Sequence, residues 1–337
     1  MTAAAKQIRE IVDFDPDNIF SQFASATSPV ILRGLAANWP LVQKGRESSA
    51  AAMRYLLEFY QDSPVTAFVS ESDIGGRMFY TEGLTDTNFR QVKTELSWVL
   101  DKLQEYESLS APPTIYMGSA AIDLFLPGLS TENSLPQGDF KATVRIWVGN
   151  RTTVAAHYDV FDNIACVCAG RRRFTVFPPE QLANLYVGPI DFTPAGQSIS
   201  LVDINNPDFE KFPRFAAALE QSQSAVLEPG DAIFIPSMWW HHVEGLESFN
   251  ILINHWWREA PAYMAAPGDV LLHAILGIRD LPAAQRKAWK VFFDHYIFES
   301  DSDTVRHIPP DRRGFLGELD EDSARRIRAS LRTRLNR

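Results

Sequence analysis

A histidine and an aspartate at alternate positions, in the segment AAHYDVFDN, are the first residues of this sequence that could do chemistry. His157 and Asp159 are separated by one residue, and residues two apart on a β-strand point to the same face of the sheet. One imidazole nitrogen and one carboxylate oxygen could therefore hold a common metal ion. Alone the pair is a weak signal, because such spacing often arises by chance.

A third ligand is available in the segment AIFIPSMWWHHVEG, which is predicted to be a strand after the turn EPGD. His241 and His242 cannot both point to one face of a strand. We expect the face that carries Glu244 to be the solvated one, so we predict that His241 joins His157 and Asp159. Two histidines and one carboxylate form the facial triad of non-haem Fe(II) oxygenases, which leaves coordination positions open. The alternative from the pattern alone is a buried aromatic strand with an incidental histidine pair.

An open Fe(II) site needs a cosubstrate, and 2-oxoglutarate chelates iron through one carboxylate and its oxo group. The far carboxylate then needs a cation. The segment GRRRFTVFPP supplies Arg171, Arg172 and Arg173 at the start of a strand, and alternation turns Arg172 away from the face of its neighbours. A guanidinium can bind a carboxylate through two hydrogen bonds, whereas two of the three arginines are expected to be solvated. Asn163 and Asn254 lie in otherwise apolar strands, where a buried amide needs such partners.

The elements that must position these residues lie mainly in 113–257. Short apolar runs separated by Gly, Pro and Asn predict an antiparallel sandwich or barrel there. The stretch 180–224 is too polar and too long for a turn, so we predict an ordered insertion with a short helix near 213–220. Loops of that length are often functional, and we expect this one, together with 64–86, to determine the substrate.

Helices are predicted on both sides of the strand-rich region. The first third is mixed α/β, with a strand over 28–35 and a long helix over about 87–107, capped by Thr85 or Asp86.

An aromatic stripe with the spacing i, i+3, i+4, i+7 follows near the C-terminus: Trp289, Phe292, Phe293 and Tyr296. Such a stripe is more often core than interface. Because it belongs to a terminal appendage, a dimer contact is the alternative.

Composition and charge exclude several classes of protein. The 337 residues are 45% hydrophobic and 22% charged, which is ordinary for a globular chain. The net charge of -10 argues against binding to nucleic acid. No apolar run reaches the ~18–20 residues that span a bilayer, and the first residues lack a signal-peptide core. The two cysteines, Cys166 and Cys168, fit neither a disulfide framework nor a CxxC motif. We therefore predict a soluble, cytoplasmic protein with no membrane partner.

Together these residues resemble the cupin-like JmjC family of Fe(II)- and 2-oxoglutarate-dependent oxygenases, and within it the factor-inhibiting-HIF type of asparaginyl hydroxylase. The matching segments are SPVILRGLAANWP, TVAAHYDVFDNIACVCAGRRRFTVFPPEQ, NNPDFEKFPRF, EPGDAIFIPSMWWHHVEGL and ILINHWW. The resemblance is clear over about 113–257. It implies a mainly β protein: a double-stranded β-helix (jelly-roll) core over 113–260, an N-terminal α/β region over 1–112 and a C-terminal helical dimerisation region over 261–337.

The resemblance also assigns roles by position. It implies that His157, Asp159 and His241 are the iron ligands. Four more residues match positions near the cosubstrate, the iron or the active site: Tyr116, Asn163, Asn254 and Trp256.

Two positions depart from the family pattern. The lysine that usually binds the far carboxylate of 2-oxoglutarate falls at Arg172, which is longer. A threonine three residues before the first ligand is Val154 here, with Thr153 beside it, so Thr153 is the candidate for that hydrogen bond to the cosubstrate.

The implied activity is that of a dioxygenase that hydroxylates a side chain of a peptide or protein, uses O2 and releases succinate and CO2. Two other interpretations stay open. The departures at Arg172 and Val154 leave room for a catalytically silent cupin-like protein that binds a metal or a small acid. A local basic groove would allow an RNA-modifying oxygenase. The motifs do not separate hydroxylation from demethylation, and zinc or another divalent ion can occupy such a site.

Overall fold

The structure, a computed structural model, describes residues 5–336. The chain divides into two compact units, the first ending at Arg258 and the second beginning at Glu259. All of the described strands belong to the first unit, which therefore contains both the predicted N-terminal region and the predicted core. In chain order they are β1 (Lys6–Gln7), β2 (Arg9–Ile11), β3 (Val30–Leu32), β4 (Val65–Ser70), β5 (Arg77–Met78), β6 (Arg90–Thr94), β7 (Thr114–Ala121), β8 (Thr143–Gly149), β9 (Thr153–Tyr158), β10 (Asp162–Ala169), β11 (Arg172–Phe177), β12 (Gln223–Leu227), β13 (Ala232–Ile235), β14 (Trp240–Gly245) and β15 (Asn250–Trp257).

The α-helices of the first unit are short and mostly precede the strand-rich core. They are α1 (Ile19–Phe23), α2 (Pro40–Glu47), α3 (Ser49–Leu57), α4 (Leu96–Tyr106), α5 (Ile122–Phe125) and α6 (Phe215–Gln221).

The strands form two sheets that make a jelly-roll core. One sheet has the order β1-β12-β11-β14-β9-β5 and the other β2-β3-β13-β10-β15-β8-β7-β4-β6. From β8 to β15 the chain crosses between the sheets at almost every connection, so four of these strands lie in each sheet. This is the double-stranded β-helix predicted from the sequence, built as a two-sheet sandwich.

Alternation along β8 shows how the sequence builds this core. Val144, Ile146 and Val148 are buried in the cluster that joins the nine-stranded sheet to α2, α3 and α4. Arg145 and Trp147, at the intervening positions, belong to the opposite face, which looks towards the six-stranded sheet. One face of the sheet is thus covered by helices, and the other closes the sandwich.

The outer face of the six-stranded sheet is covered by the predicted insertion. Trp240 and Phe177 pack in one cluster with Leu185, Val202 and Phe215 of the segment between β11 and β12. The short helix expected near 213–220 is α6. The face that carries His242 and Glu244 is therefore not solvated as expected: the Glu244 side chain is only 12% exposed.

The prediction of one long helix over about 87–107 is wrong for the first part of that range. Residues Arg90–Thr94 form β6, which pairs antiparallel with β4, and the helix is only Leu96–Tyr106. The Thr85 and Asp86 side chains therefore do not cap it; Glu95 occupies the N-cap position. The apolar spacing at Phe89, Val92 and Leu96 suits a helix, but an available sheet edge supplies the backbone partners that decide the conformation.

The second unit is helical where the C-terminal helices were predicted. It contains α7 (Pro267–Gly277), α8 (Ala283–Phe293), which continues into a π-helical turn over Asp294–Phe298, and α9 (Glu321–Leu335). The rings of the aromatic stripe contact one another: Trp289 and Phe292 are 5.5 Å apart and Phe292 and Tyr296 6.2 Å apart, between centroids. In the described part of the chain, we find no helix with the length and apolar character needed to cross a bilayer.

Candidate metal centre

His157, Asp159 and His241 meet at one point between the two sheets. One ligand atom from each lies within 4.8 Å of the others. The His241 Nε2 atom is 3.6 Å from Asp159 Oδ2, and the two imidazole rings are 4.2 Å apart between centroids. Two imidazoles and one carboxylate at this spacing can coordinate a single divalent ion.

Neighbouring strands bring these ligands together. His157 on β9 and His241 on β14 are directly opposite each other in the antiparallel ladder. Asp159 follows β9 by one residue, and its carbonyl oxygen accepts a hydrogen bond from the Met238 amide at 2.8 Å. That bond ties the turn after β9 to the turn before β14, so the carboxylate is placed by backbone contacts.

Backbone hydrogen bonds also orient both imidazoles. Nδ1 of His157 lies 2.9 Å from the Ala155 carbonyl oxygen, and Nδ1 of His241 lies 3.1 Å from that of Trp239. A carbonyl only accepts, so each Nδ1 carries the proton and each Nε2 keeps a free lone pair. Burial lowers the pKa of His241 to about 4, with a further contribution from His157, so this imidazole is neutral near pH 7.

Asp159 receives two hydrogen bonds on one oxygen. Trp256 Nε1 donates to Oδ2 at 3.1 Å and Asn163 Nδ2 at 3.4 Å. Trp256 and Asn163 are opposite each other on β15 and β10, so both donors reach the same atom. These two predicted residues therefore hold the carboxylate whose geometry the metal needs.

The three ligands open into a cavity of about 430 Å³ between the sheets. Eight of the nine sequence-predicted site residues line it, and the exception is Thr153. Aromatic side chains that were not predicted as site residues form much of the remaining wall: Phe68, Phe89, Trp147 and Phe174.

The Arg172 side chain is buried in this cavity and has no anionic partner among the described residues. It is 1% exposed, and its Nε and Nη2 atoms have no hydrogen-bond partner within the described structure. Arg171 and Arg173 are exposed and pair with Glu247 and Glu244. A buried guanidinium is costly unless an anion neutralises it, so the orphaned atoms fit a carboxylate ligand.

Tyr116 lies beside Arg172. Burial raises the pKa of the Tyr116 phenol, and the Arg172 guanidinium partly offsets that rise. The phenol ring reaches this position over Gly149, where an added Cβ would lie 2.6 Å from the tyrosine ring. A neutral hydroxyl and a guanidinium side by side form a suitable receptor for one carboxylate.

Asn254 is held by Trp147, whose Nε1 donates to Asn254 Oδ1 at 2.9 Å. This contact satisfies the amide oxygen, and the amide still lines the cavity. Alternation from Gly149 along β8 would have placed Trp147 on this face, so the signal was present in the sequence. Phe68 and Phe89 carried no such signal, because they reach the cavity from β4 and from the residue just before β6.

A β-bulge decides which of Thr153 and Val154 faces the cavity. In the ladder between β9 and β14, His241 pairs with His157, but Val243 pairs with Val154. Two residues of β9 thus oppose one of β14, which reverses the alternation expected from His157. Val154 consequently lines the cavity, and Thr153 lies opposite Glu244 on the other face. The predicted contact of Thr153 with a cosubstrate is not made by this arrangement.

Comparison with known proteins places this fold and site in a family. The Cupin-like domain family matches residues 16–263. Curated relatives include tRNA wybutosine-synthesizing protein 5 of Gallus gallus, which is 33% identical over 47% of this chain and 43% of its own length. Lysine-specific demethylase 8 of Xenopus tropicalis is 26% identical over 68% of this chain and 48% of its own. Lysine-specific demethylase JMJ31 of Arabidopsis thaliana is 31% identical over 35% of this chain and 21% of its own length.

The chain thus spans less than half the length of each of these relatives. The family match, in contrast, covers more than half of this chain and includes the strands from β3 to β15 and the His-Asp-His group. The protein therefore belongs to the cupin-like JmjC-domain family.

Proposed function

We propose that the protein is an Fe(II)- and 2-oxoglutarate-dependent oxygenase that hydroxylates a side chain of a peptide or protein. The observation that carries the proposal is that one cavity contains both the His-Asp-His group and an unpaired buried guanidinium. The first supplies the ligand set of a non-haem iron site. The second supplies the cation that a dicarboxylate needs at its far end.

The chain's own residues fit these two groups. His157 and His241 present free Nε2 atoms, and Trp256 and Asn163 hold the Asp159 carboxylate, whose Oδ2 lies 3.6 Å from His241 Nε2. Arg172 and Tyr116 would bind the far carboxylate of 2-oxoglutarate. The aromatic side chains give the cavity a largely apolar wall.

Iron bound there would supply the oxidative chemistry, in which 2-oxoglutarate, O2 and a substrate C–H group give succinate, CO2 and an alcohol. The protein's contribution is to orient the cosubstrate and the target carbon and to exclude water. The names of the relatives refer both to tRNA and to lysine, so they do not select one substrate class. The net charge of -10 favours peptide over nucleic acid.

Release of succinate from 2-oxoglutarate tests the proposal. With Fe(II) and air, the protein should convert 2-oxoglutarate slowly even without substrate, and removal of O2 should stop the reaction. Asp159→Ala should abolish the conversion because it removes a ligand, whereas Asp139→Ala, at an exposed site, should not. Binding of 2-oxoglutarate without any succinate would instead identify a catalytically silent binding protein.

A further inference from the structure

A second arginine, Arg145, lies on the cavity face of the nine-stranded sheet. It alternates on β8 with buried Val144 and Ile146 and shares its face with Trp147. Its Cα partner on β15 is Asn254, whose side chain lines the cavity. Paired residues in a ladder point to the same face, so Arg145 is directed towards the same side of the sheet as the active site.

The Arg145 guanidinium is incompletely satisfied. Its Nη1 atom donates to the Ser119 carbonyl oxygen at 3.1 Å, and its Nε atom is buried without a hydrogen-bond partner. Throughout residues 5–336, no carboxylate forms an ion pair with it. A guanidinium has five N–H donors, so one neutral contact leaves most of its capacity for another anion or acceptor.

The neighbouring strand β7 has an irregularity next to this arginine. The register of β7 against β8 shifts between Met117 and Ala120, and Ser119 has a φ of 54°, which is unusual for a residue other than glycine. The shift frees the Ser119 carbonyl from the ladder for Arg145, and Ser119 itself lines the cavity. Bulges often redirect groups next to active sites.

Arg145 is separate from the pair that would hold the cosubstrate. Tyr116 is opposite Gly149, and Arg145 is four residues from Gly149 along β8, which corresponds to about 13 Å. Arg145 instead neighbours Asn254, two residues from Trp256, which donates to the metal ligand Asp159. Arg145 therefore lies beside the metal side of the cavity, next to the lining residues Asn254 and Ser119 and away from Tyr116.

The charges around the cavity are unbalanced. Of its described lining residues, the one acidic side chain is Asp159, which is a metal ligand, whereas Arg172 is cationic. With Arg145 nearby and a divalent ion bound, a lysine side chain would enter a field of like charge without a free carboxylate to pair with. An anionic group would meet an available guanidinium.

We propose that Arg145 is a specificity-determining residue that selects an anionic substrate, namely a peptide with an acidic side chain at or next to the oxidised residue. The inference rests on the proposed function, and it sets this protein's substrate apart from the lysine substrates in the names of some relatives.

Binding of fluorescent peptide pools tests the inference without relying on turnover. The pools are short degenerate peptides that differ only at a fixed central residue: Glu, Gln, Lys or phosphoserine. Polarisation is measured with Mn²⁺-loaded protein, with and without saturating 2-oxoglutarate. The Glu pool should bind about tenfold or more tightly than the Lys pool, as expected for a charge-assisted hydrogen bond. Tighter binding of the phosphoserine pool than of the Gln pool would equally support an anion site and identify phosphate as an accepted group.

Variants assign the preference to Arg145. Arg145→Gln should lower affinity for the Glu pool to that for the Gln pool, while Arg145→Lys, which keeps the charge and tests against misfolding, should retain a weaker preference. Arg151→Gln, at an exposed position just beyond β8, should change nothing. Equal or tighter binding of the Lys pool, no binding of either pool, or an unchanged preference in Arg145→Gln would overturn the inference.

Affinity for 2-oxoglutarate separates this inference from the proposed function. It should be the same in Arg145→Gln as in the unmodified protein, and a loss would mean that Arg145 holds cosubstrate rather than substrate. Absence of succinate release together with a preference for acidic peptides would reject the oxygenase activity and keep the anion site.

Discussion

His241 and His242 are adjacent in the chain, but their side chains have opposite surroundings. His241 points between the sheets towards Asp159, whereas His242 points outward beneath the insertion, and neither of its ring nitrogens has a hydrogen-bond partner among the described residues. Its Nε2 atom is 4.0 Å from Glu244 Oε2. Burial lowers the pKa of both imidazoles to about 4, so burial alone does not distinguish a ligand.

We expect His241→Ala to abolish binding of one divalent ion per chain, because it removes one of three ligands. His242→Ala should leave metal content unchanged, although the cavity it opens under the insertion lowers stability by about 0.5–3 kcal/mol. Metal analysis after dialysis against Fe(II) or Mn(II), with circular dichroism as the folding control, measures both. The opposite pattern would show that the outward histidine is the ligand.

Arg172 provides the second test at the scale of single residues. Truncation of one partner of a buried charge pair costs about 2–5 kcal/mol. Arg172→Ala should therefore weaken binding and raise the apparent dissociation constant for 2-oxoglutarate by about tenfold or more. Arg172→Lys should lose less because the charge remains. Arg171→Ala, one position earlier but exposed, is the matched control. Equal affinities of the Arg172→Ala variant and the unmodified protein would assign the carboxylate to another residue.

At the scale of elements, the bulge in β9 decides what the cavity wall can offer the cosubstrate. Uninterrupted alternation from His157 would turn Thr153 inward, but the extra residue puts Val154 there instead. The wall is therefore apolar at the position where the resemblance implies a hydroxyl.

The structure predicts opposite outcomes for exchanges at these two positions. Val154→Thr places a hydroxyl in the cavity and should tighten 2-oxoglutarate binding about two- to tenfold, the value of one neutral hydrogen bond. Thr153→Val should have no effect, because its side chain is on the other face. Titration of each variant with 2-oxoglutarate measures the change. A loss of affinity in Thr153→Val alone would mean that the ladder lacks the bulge.

Elements distant in sequence complete the same wall. Phe68 on β4 and Phe89, just before β6, contact each other at 5.4 Å between ring centroids with their planes perpendicular. Residues 193–197 of the insertion line another part of the cavity. Both segments expected to determine the substrate, 64–86 and 180–224, thus contribute side chains to the space above the metal centre.

At the scale of the whole molecule, a buried histidine makes stability depend on pH. His255 on β15 is 0% exposed, and its Nε2 accepts a hydrogen bond from the Leu135 amide at 3.2 Å. Burial lowers its pKa to about 3, below the ordinary value near 6.5. Between about pH 6.5 and about pH 3 this histidine is therefore protonated in the unfolded chain but neutral in the folded chain. The free energy of unfolding consequently falls as the pH decreases through that range.

From about pH 7.5 to about pH 5.5, His255 should account for a loss of about 1.4 kcal/mol in the free energy of unfolding. His255→Gln keeps an acceptor but does not titrate, so its loss over the same interval should be smaller by that amount. His273→Gln, at an exposed site, should show the loss of the unmodified protein. Urea unfolding at the two pH values measures it, and identical losses in all three proteins would contradict the assignment.

The C-terminal unit exposes an unusually apolar surface, and we propose that it forms a homodimer. Trp289 is 46% exposed and Phe292 54% exposed, on the aromatic stripe of α8. Side chains of this kind bury on the order of 150–250 Å² each, which is a strong driving force for association when several lie together.

Trp289→Glu combined with Phe292→Glu should therefore convert a dimer to a monomer. Leu109→Glu, an exposed leucine of the first unit, should not. Sedimentation at micromolar concentration distinguishes the masses. A monomeric mass for the unmodified protein would reject the dimer, and a dimeric double variant would place the interface elsewhere.

The amino-acid sequence by itself determined the strands of the core, the burial of Arg172 against its two exposed neighbours and the choice of His241 over His242. These features depend on alternation and on side-chain types within a few residues, and such information is local. The reason given for His241 was nevertheless incorrect, because the opposite face is covered rather than solvated. Packing of the insertion on that face could not be deduced from the strand.

Only the tertiary structure decided the remainder. The bulge that exchanges Thr153 for Val154 depends on how β9 pairs with β14, and β6 exists because β4 offers a free edge to residues whose spacing also suits a helix. The position of Arg145 beside the cavity follows from its pairing with Asn254 and from the shifted register of β7. In each case the conformation is determined by hydrogen bonds and packing between segments far apart in the chain, which a pattern of neighbouring residues does not contain.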